Sequence, residues 1–262
     1  MKCKICNSNT KALFKTKVLN KYDVQYFQCE ECQFVQTEKP YWLEEAYNSP
    51  INHSDTGIVL RNQRLSRIVG SLIICFFDKK KEAVDYAGGF GMFTRMMRDI
   101  GFDFYWLDPY VKNELARGFE GEKGKKYHIA TSFESFEHFD DVIEEAKKIT
   151  KIADNLILST EMIPLPPPKV EDWWYYAPEH GQHIAFYTKN AFHKLAKELG
   201  LHYYNLDNVH ILAKTKLGGL ASFVFKFKYA KHLFYLLSYF QFFFMKTKTF
   251  EDMDKMKPSN HG

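Results

Sequence analysis

The sequence predicts an α/β protein with a doubly wound, mostly parallel sheet and a small cysteine-rich N-terminal subdomain. Three observations lead to this prediction. Strand-like and helix-like segments alternate from Lys81 onward, a glycine-rich turn follows the first of these strands, and four of the five cysteines form two C-x-x-C pairs. A chain of 262 residues with 45% hydrophobic residues supports one main domain with a small addition.

The alternating segments account for most of the main domain, because strands separated by helices build parallel sheets. We predict strands at 83–86, 102–107, 127–132, 155–159, 201–206 and 209–214, and helices at 93–100, 140–152 and 189–199. Upstream, strands are predicted at 12–18 and 24–27, and apolar residues at helical spacing predict helix within 41–78. The predicted domains are 1–40 (zinc knuckle), 41–78 (helical lid or linker), 79–220 (Rossmann-like domain) and 221–262 (aromatic-rich helix and mobile tail).

The cysteine pairs favour a structural metal site. Two C-x-x-C turns, Cys3 with Cys6 and Cys29 with Cys32, supply a closed shell of four sulfur ligands for Zn²⁺. A nucleic-acid-binding ribbon is the alternative, although the nearby lysines lack the interleaved arginine and aromatic residues that base stacking needs. The fifth cysteine, Cys75, lies among apolar neighbours and is predicted to be a buried core residue.

The segment VDYAGGFG predicts a cofactor loop between a strand and a helix. Asp85 and Tyr86 precede the turn, and the glycines at 88, 89 and 91 let a ligand approach the backbone. Asp108 ends the next strand, about 20 residues later, where a carboxylate can bind both ribose hydroxyls. The loop lacks the G-x-G-x-x-G spacing that makes room for a pyrophosphate. We therefore predict S-adenosylmethionine, a nucleoside cofactor without phosphates.

Three sequence segments support the prediction of this cofactor: VDYAGGFGMFTRMMRDIGFDFYWLDPY, TSFESFEHF and WWYYAPEHGQHIAFYTKNAF. They resemble class I S-adenosylmethionine-dependent methyltransferases that carry an N-terminal cysteine-rich zinc-binding region, and the resemblance covers nearly the whole chain. Some members of that group are sugar C-methyltransferases, and relatives occur in bacterial surface-polysaccharide gene clusters.

The resemblance also implies roles for particular residues. It assigns Asp85, Gly88, Gly89 and Gly91 to the cofactor loop and Asp108 to the ribose. Phe133 and Glu134 are implied to lie near the adenine or the sulfonium. One departure is visible, because about twenty residues separate Asp108 from the strand at 127, which is too few for the usual helix, strand and helix. We expect one strand to be missing there.

Acidic and histidine residues cluster in two further segments. Glu137 and His138 follow one predicted strand, whereas Glu179, His180 and His183 follow a run of tryptophan and tyrosine. A methyl acceptor must lose a proton, so we predict His180 or His183 as the base and Glu179 as its orienting group. The alternative is that each histidine is a structural hydrogen-bonding residue, and that Glu137 and His138 cap the helix near Asp140. Tyr47 is predicted to cover the methyl-donor pocket, with an ordinary surface loop as the alternative.

The predicted function is methyl transfer to an oxygen or carbon atom of a sugar, such as a nucleotide-sugar or a surface-polysaccharide precursor, or of a related small polar metabolite. Alternatives are an RNA or protein methyltransferase that recruits its substrate through the zinc knuckle, and a non-catalytic zinc-dependent binding protein. The net charge of +4 is spread along the chain, so nucleic acid is not favoured. Oligomeric state is left open.

The C-terminal zone of the sequence is rich in aromatic residues. The aromatic-rich stretch 223–245 contains lysines and falls short of a membrane span. We interpret it as a helix that packs on the domain, with an interfacial membrane helix or a partner-binding helix as the alternative. The tail after Lys246 is predicted to be mobile. The N-terminus shows no signal sequence, so we expect a cytoplasmic protein, with the inner face of the membrane as a further option.

Overall fold

The computed structural model describes residues 1–47, 55–227 and 229–257. Backbone contacts divide the chain into two compact units. Unit 1 comprises Met1–Asp55, Phe133–Thr150 and Leu158–Thr215, whereas unit 2 comprises Thr56–Ser132, Lys151–Ile157 and Lys216–Gly262. The segments of the two units interleave along the chain. The motif-based domains 1–40, 41–78, 79–220 and 221–262 remain a proposal.

A six-stranded mixed sheet confirms the α/β fold class. Its order is β5-β4-β6-β7-β10-β9, with β4 parallel to both β5 and β6, and β9 antiparallel to β10. Its strands are β4 (Ala83–Tyr86), β5 (Phe104–Leu107), β6 (Tyr127–Phe133), β7 (Ala153–Ser159), β9 (His202–Leu206) and β10 (Val209–Ala213). All six were predicted, with ends that differ by one or two residues. Residues 109–126 contain an isolated bridge at Glu120 but neither helix nor longer strand, as the short spacing predicts.

The N-terminal residues form a second, antiparallel sheet with the order β1-β2-β3-β8. Its strands are β1 (Thr10–Val18), β2 (Tyr22–Cys29), β3 (Val35–Thr37) and β8 (Ala185–Phe186). The cysteine pairs lie just before β1 and at the end of β2, and this hairpin fits the small N-terminal subdomain. The sequence predicted β1 and β2 but neither β3 nor β8, because strands of two or three residues are too short to show a period of two.

Eight α-helices lie in the described residues. They are α1 (Leu43–Ala46), α2 (Ile58–Phe76), α3 (Met92–Ile100), α4 (Val142–Ile152), α5 (Lys189–Glu198), α6 (Gly219–Val224), α7 (Ala230–Leu237) and α8 (Thr249–Met256). The prediction for Cys75 was wrong, because its side chain is exposed on α2. Successive residues point about 100° apart around a helix. Cys75 therefore points outward although its sequence neighbours are apolar.

The C-terminal zone differs from the single helix and mobile tail that the sequence predicts. The 223–245 stretch is divided among α6, α7 and a 3-10 helix at Ser238–Phe243, and residues 249–256 form α8. Asp252 of α8 is buried against Arg98, so this helix is held in unit 2. The part of the predicted tail at 258–262 lies outside the described residues. Within the described chain, no helix has the length and apolar character needed to cross a bilayer.

Candidate functional site

The glycine-rich loop connects β4 to α3 in unit 2. Gly91, the N-cap of α3, has a φ of 85°, and Gly89 has a φ of 53°. A Cβ atom at position 91 would lie 2.6 Å from Oδ1 of Asn113, and one at position 88 would lie 2.9 Å from Oδ2 of Asp85. Residues 88 and 91 are therefore glycine because side chains would collide there, and residue 91 also because of its backbone conformation.

Asp108, at the end of β5, lies directly against this loop. Its Oδ2 accepts a hydrogen bond of 2.9 Å from the Gly89 backbone N–H, and its Oδ1 accepts bonds from the N–H groups of Tyr110 and Val111. The two elements that the sequence assigns to cofactor binding are thus brought together. Trp106 also contacts the loop, since its Nε1 donates to the Gly89 carbonyl at 2.7 Å. Trp106 was not predicted, because a tryptophan on a strand gives no signal beyond core packing.

Asp85 is a buried carboxyl group at the end of the first parallel strand, with 2% of its surface exposed. Thr131 donates a hydrogen bond of 2.6 Å to its Oδ1, and Thr94 donates one of 3.5 Å to its Oδ2. Burial raises the pKa of Asp85 to about 7, and the negative charge of Asp108 adds to this effect, whereas the two threonine hydrogen bonds oppose it. Within the described residues, none of the groups that shift this pKa is cationic, so a cationic ligand would stabilise the charged form of Asp85.

The two predicted acid and histidine segments meet in unit 1. Glu137, His138 and His183 place their ligand atoms within 4.8 Å of one another, and the His138 and His183 ring centroids are 5.0 Å apart. Tyr175 joins them, because its hydroxyl donates to Glu137 Oε1 at 2.7 Å and its carbonyl accepts from His183 Nδ1 at 2.7 Å. The sequence missed Tyr175, which is indistinguishable from its neighbours in a run of aromatic residues. These atoms could bind polar groups of a ligand or a metal ion.

The two clustered histidines are neutral at physiological pH. Burial lowers the pKa of His138 to about 4 and that of His183 to about 3, although backbone carbonyls hydrogen-bonded to each ring partly oppose the effect. His138 Nδ1 donates to the Gln182 carbonyl at 3.0 Å. Because both rings retain partial exposure, they can hydrogen-bond to a neutral polar ligand.

Glu179 and His180 form a separate, more exposed pair in the same unit. Glu179 Oε1 lies 3.4 Å from His180 Nε2, and 30% of the His180 side chain is exposed. The alternative that Glu137 and His138 cap α4 was wrong, because the carboxylate of Asp141 accepts from the Glu144 N–H at the start of this helix. Glu137 lies instead in a 3-10 helix and is fully buried.

The remaining predicted cofactor residues divide between the units. Tyr86 ends β4 in unit 2. Phe133, Glu134 and Tyr47 belong to unit 1, where Ser159 Oγ donates to Glu134 Oε1 at 2.6 Å. Tyr47 is 43% exposed, and its ring lies 6.2 Å from that of His138. The lid predicted around Tyr47 continues through residues 48–54, which lie outside the described residues.

The four cysteines of the two C-x-x-C pairs converge in unit 1. Their sulfur atoms are separated by 3.6 Å (Cys3 to Cys32), 3.5 Å (Cys6 to Cys29) and 3.6 Å (Cys6 to Cys32). Tetrahedral zinc with Zn–S bonds of about 2.3 Å separates its sulfur ligands by roughly 3.8 Å. A disulfide would require about 2.0 Å. The cluster therefore has the dimensions of a four-sulfur metal site.

A family model described as a methyltransferase domain matches residues 61–206, more than half of the chain. The chain belongs to this methyltransferase family. The matched residues include the glycine loop, Asp108 and both acid and histidine segments. The predicted membership of a methyltransferase family is thereby confirmed.

A comparison with solved structures finds methyltransferases at low identity. Mitomycin 7-O-methyltransferase MmcR is 16% identical with a TM-score of 0.44, and the match covers 65% of this chain and 59% of MmcR. Magnesium protoporphyrin IX methyltransferase ChlM from Synechocystis PCC 6803, with bound SAH, is 14% identical with a TM-score of 0.44, and the match covers 65% of this chain and 90% of ChlM. The chain spans about three fifths of the length of MmcR. No curated protein matches the sequence. At such identities, none of these similarities indicates a substrate.

Proposed function

We propose that unit 2 binds S-adenosylmethionine at the glycine loop and that the enzyme transfers its methyl group to a sugar-like acceptor. The contact between Asp108 and the Gly89 N–H carries this proposal. It brings a carboxylate, which can accept hydrogen bonds from both ribose hydroxyls, to a turn whose glycines admit a ligand. Asp85 supplies the negative charge that the cationic amino group of the cofactor requires.

The acceptor side of the reaction is assigned to unit 1. Neutral His138 and His183, with Glu137 and Tyr175 behind them, offer several hydrogen-bonding atoms in a small volume, which suits a polyhydroxylated molecule such as a sugar. We assign proton removal to His180, since the Glu179 carboxylate lies 3.4 Å from its Nε2 and can orient the ring. His183, whose pKa is strongly lowered, positions the acceptor instead.

The cysteine cluster is proposed to hold a structural Zn²⁺. Four sulfur ligands close the coordination shell, so the ion has no open position for a substrate. Backbone N–H groups of Ile5 and Cys32 lie 3.4 Å from the sulfur atoms of Cys3 and Cys29, an arrangement that stabilises thiolate ligands. The role of the metal is to fix the hairpin of β1 and β2.

Incubation with labelled S-adenosylmethionine and a panel of nucleotide-sugars, followed by mass spectrometry, tests the acceptor class. We expect a single methyl group on the sugar. Asp108→Ala should weaken cofactor binding in calorimetry by about a hundredfold, since it removes two charge-assisted hydrogen bonds. Asp99→Ala, at an exposed surface pair, should bind normally. Normal cofactor binding by Asp108→Ala would contradict the assignment, and transfer to RNA or protein alone would overturn the acceptor class.

Steady-state kinetics of two histidine variants distinguishes the catalytic base from the residue that positions the acceptor. His180→Gln should lower kcat by about a hundredfold or more, because general-base catalysis is removed, and should leave cofactor binding unchanged. His183→Gln should mainly raise KM for the acceptor. The reverse pattern would assign the base to His183.

A further inference from the structure

The C-terminal segment of unit 2 exposes an extended apolar surface. Along α7 and the 3-10 helix that follows it, exposed leucine and phenylalanine side chains recur at intervals of three and four residues. These residues, called the apolar face below, are Leu233, Leu236, Leu237, Phe240, Phe243 and Phe244, with exposures between 38% and 70%. Six exposed large apolar side chains within twelve residues mark an interaction surface rather than ordinary surface composition.

The opposite side of the same segment is firmly anchored, so the apolar face is not a loosely packed end. Phe234 is 2% exposed and packs near Phe76 of α2. The buried Gln241 side chain donates to the carbonyl of Arg67 at 2.8 Å and to Ser71 Oγ at 3.0 Å. One side of the segment thus makes specific contacts with α2, while the other presents large apolar groups to solvent.

The sequence around the apolar face is basic. Residues 208–250 contain seven lysines and neither aspartate nor glutamate, although the whole chain has a net charge of only +4. The expectation that charge is spread evenly along the chain is therefore wrong for this zone. Lys226 and Lys246, which flank the apolar face, are exposed. Exposed lysines beside leucine and aromatic side chains are the features that bind lipid headgroups and the acyl boundary together.

We propose that the apolar face and its flanking lysines bind the surface of a membrane that contains anionic phospholipids. A second copy of the chain would satisfy the apolar side chains but would bring two sets of lysines together, which opposes association. A lipid surface can bind both the lysines and the apolar side chains. Phosphate headgroups pair with the lysines, while leucine and phenylalanine side chains enter the acyl boundary. This proposal does not depend on the acceptor or on the catalytic residues.

Vesicle co-sedimentation of the full-length protein tests the proposal. Vesicles of phosphatidylcholine with phosphatidylglycerol should bind the protein, whereas vesicles of phosphatidylcholine alone should not. A Lys226→Glu, Lys246→Glu variant should bind about thirtyfold more weakly, since each basic residue near an anionic surface strengthens binding several-fold. Leu236→Asp combined with Phe240→Asp should remove binding. The matched control is Leu165→Asp, at an exposed leucine in unit 1, which should bind like the wild type.

Folding and self-association are measured on the same variants. Each variant should keep the thermal midpoint of the wild type and bind S-adenosylmethionine as the wild type does, which separates lost lipid binding from lost structure. Three outcomes would overturn the proposal: no binding to either kind of vesicle, equal loss of binding in Leu165→Asp, or a concentration-dependent dimer in sedimentation velocity that Leu236→Asp abolishes.

Discussion

At the scale of single residues, two aspartates have different electrostatic surroundings in the same loop region. Asp108 accepts three hydrogen bonds from backbone N–H groups of Gly89, Tyr110 and Val111. Asp85 is buried with two threonine hydroxyls, and its pKa rises to about 7, mainly because burial disfavours the charge. Asp85 is thus suited to bind a cation, whereas Asp108 stabilises the turn and is proposed to bind the ribose as well.

The raised pKa of Asp85 makes both stability and cofactor binding depend on pH. Between about pH 4 and pH 7, Asp85 keeps a proton in the folded state that it releases in the unfolded state. The contribution of Asp85 to stability is therefore complete below pH 4 and is lost as the pH rises towards 7. Asp85→Asn should remove this loss and raise the thermal midpoint at pH 8 by about 3 °C or more relative to the wild type. Thermal unfolding of both proteins at pH 5 and pH 8 measures the difference.

The affinity for the cofactor should change with pH in the direction opposite to the stability. Affinity for S-adenosylmethionine should increase from pH 6 to pH 7 in the wild type, since only ionised Asp85 attracts the cofactor amino group, which stays protonated in this range. Asp85→Asn should bind more weakly and show no such increase. A wild-type affinity independent of pH would exclude Asp85 as the partner of the amino group.

Sequence patterns found some of these residues and not others. The glycines, Asp85, Asp108 and the four cysteines stand at spacings that a loop or a metal imposes locally, so the sequence reveals them. Tyr175 meets Glu137 through a contact between residues 38 positions apart, and nothing in its local sequence distinguishes it from Tyr176. Spacing along the chain cannot reveal pairs that only folding brings together.

At the scale of elements, the proposed Zn²⁺ site is expected to stabilise the β1 and β2 hairpin. Elemental analysis should find one Zn²⁺ per chain. Cys6→Ser should lose the metal and lower the thermal midpoint, because metal binding contributes directly to folding. Cys75→Ser, at the exposed cysteine on α2, should keep the metal and the thermal midpoint of the wild type. Full zinc content in Cys6→Ser would show that the four cysteines do not share one ion.

Helix α8 is held by a buried ion pair, although the sequence predicted a mobile tail there. Both oxygens of Asp252 accept from the Arg98 guanidinium at 2.7 Å, and the guanidinium lies 3.8 Å from the Phe119 ring centroid. Such a helix of eight residues would not be stable alone. A polar tail sequence cannot reveal that one of its acids is the partner of an arginine more than 150 positions away.

Removing one partner of this pair should therefore be costly. Asp252→Ala should lower the free energy of unfolding by about 3–5 kcal/mol, since it leaves the Arg98 charge buried without its partner. Asp254→Ala, on the same helix at an exposed pair with Lys257, should change it by less than about 1 kcal/mol. Denaturant unfolding at pH 7 measures both, and equal effects would contradict a special role for Asp252.

The stabilisation by this ion pair also depends on pH and is lost under acidic conditions. Burial alone would raise the pKa of Asp252, but its bonds with Arg98 and Arg95 outweigh burial and lower it. The contribution of this carboxylate to stability is therefore complete above its unfolded pKa of about 4 and is lost as the pH falls through the lower folded value. The difference between wild type and Asp252→Ala should accordingly shrink below pH 4.

At the scale of the whole molecule, the sequence reveals the order of elements but not which segments share a core. The alternation of strand-like and helix-like segments predicted all six strands of the main sheet. The N-terminal residues, however, share a core with segments more than 130 positions later. Val24, Tyr26 and Val35 pack in one buried cluster with Tyr176 and Phe186.

This shared core predicts that the cysteine-rich segment cannot be removed as a separate domain. A fragment that lacks residues 1–40 would leave β8 without its partner β3 and would expose Phe186 and Tyr176, which are fully buried in the intact chain. We expect the fragment to bind a hydrophobic dye and to lose its near-ultraviolet circular dichroism, because unpartnered apolar surface prevents specific packing. A Cys6→Ser chain of full length, which keeps β1 to β3, is the control that separates loss of metal from loss of the core. A cooperative thermal transition of the fragment at the wild-type midpoint would show instead that the N-terminal residues form an independent domain.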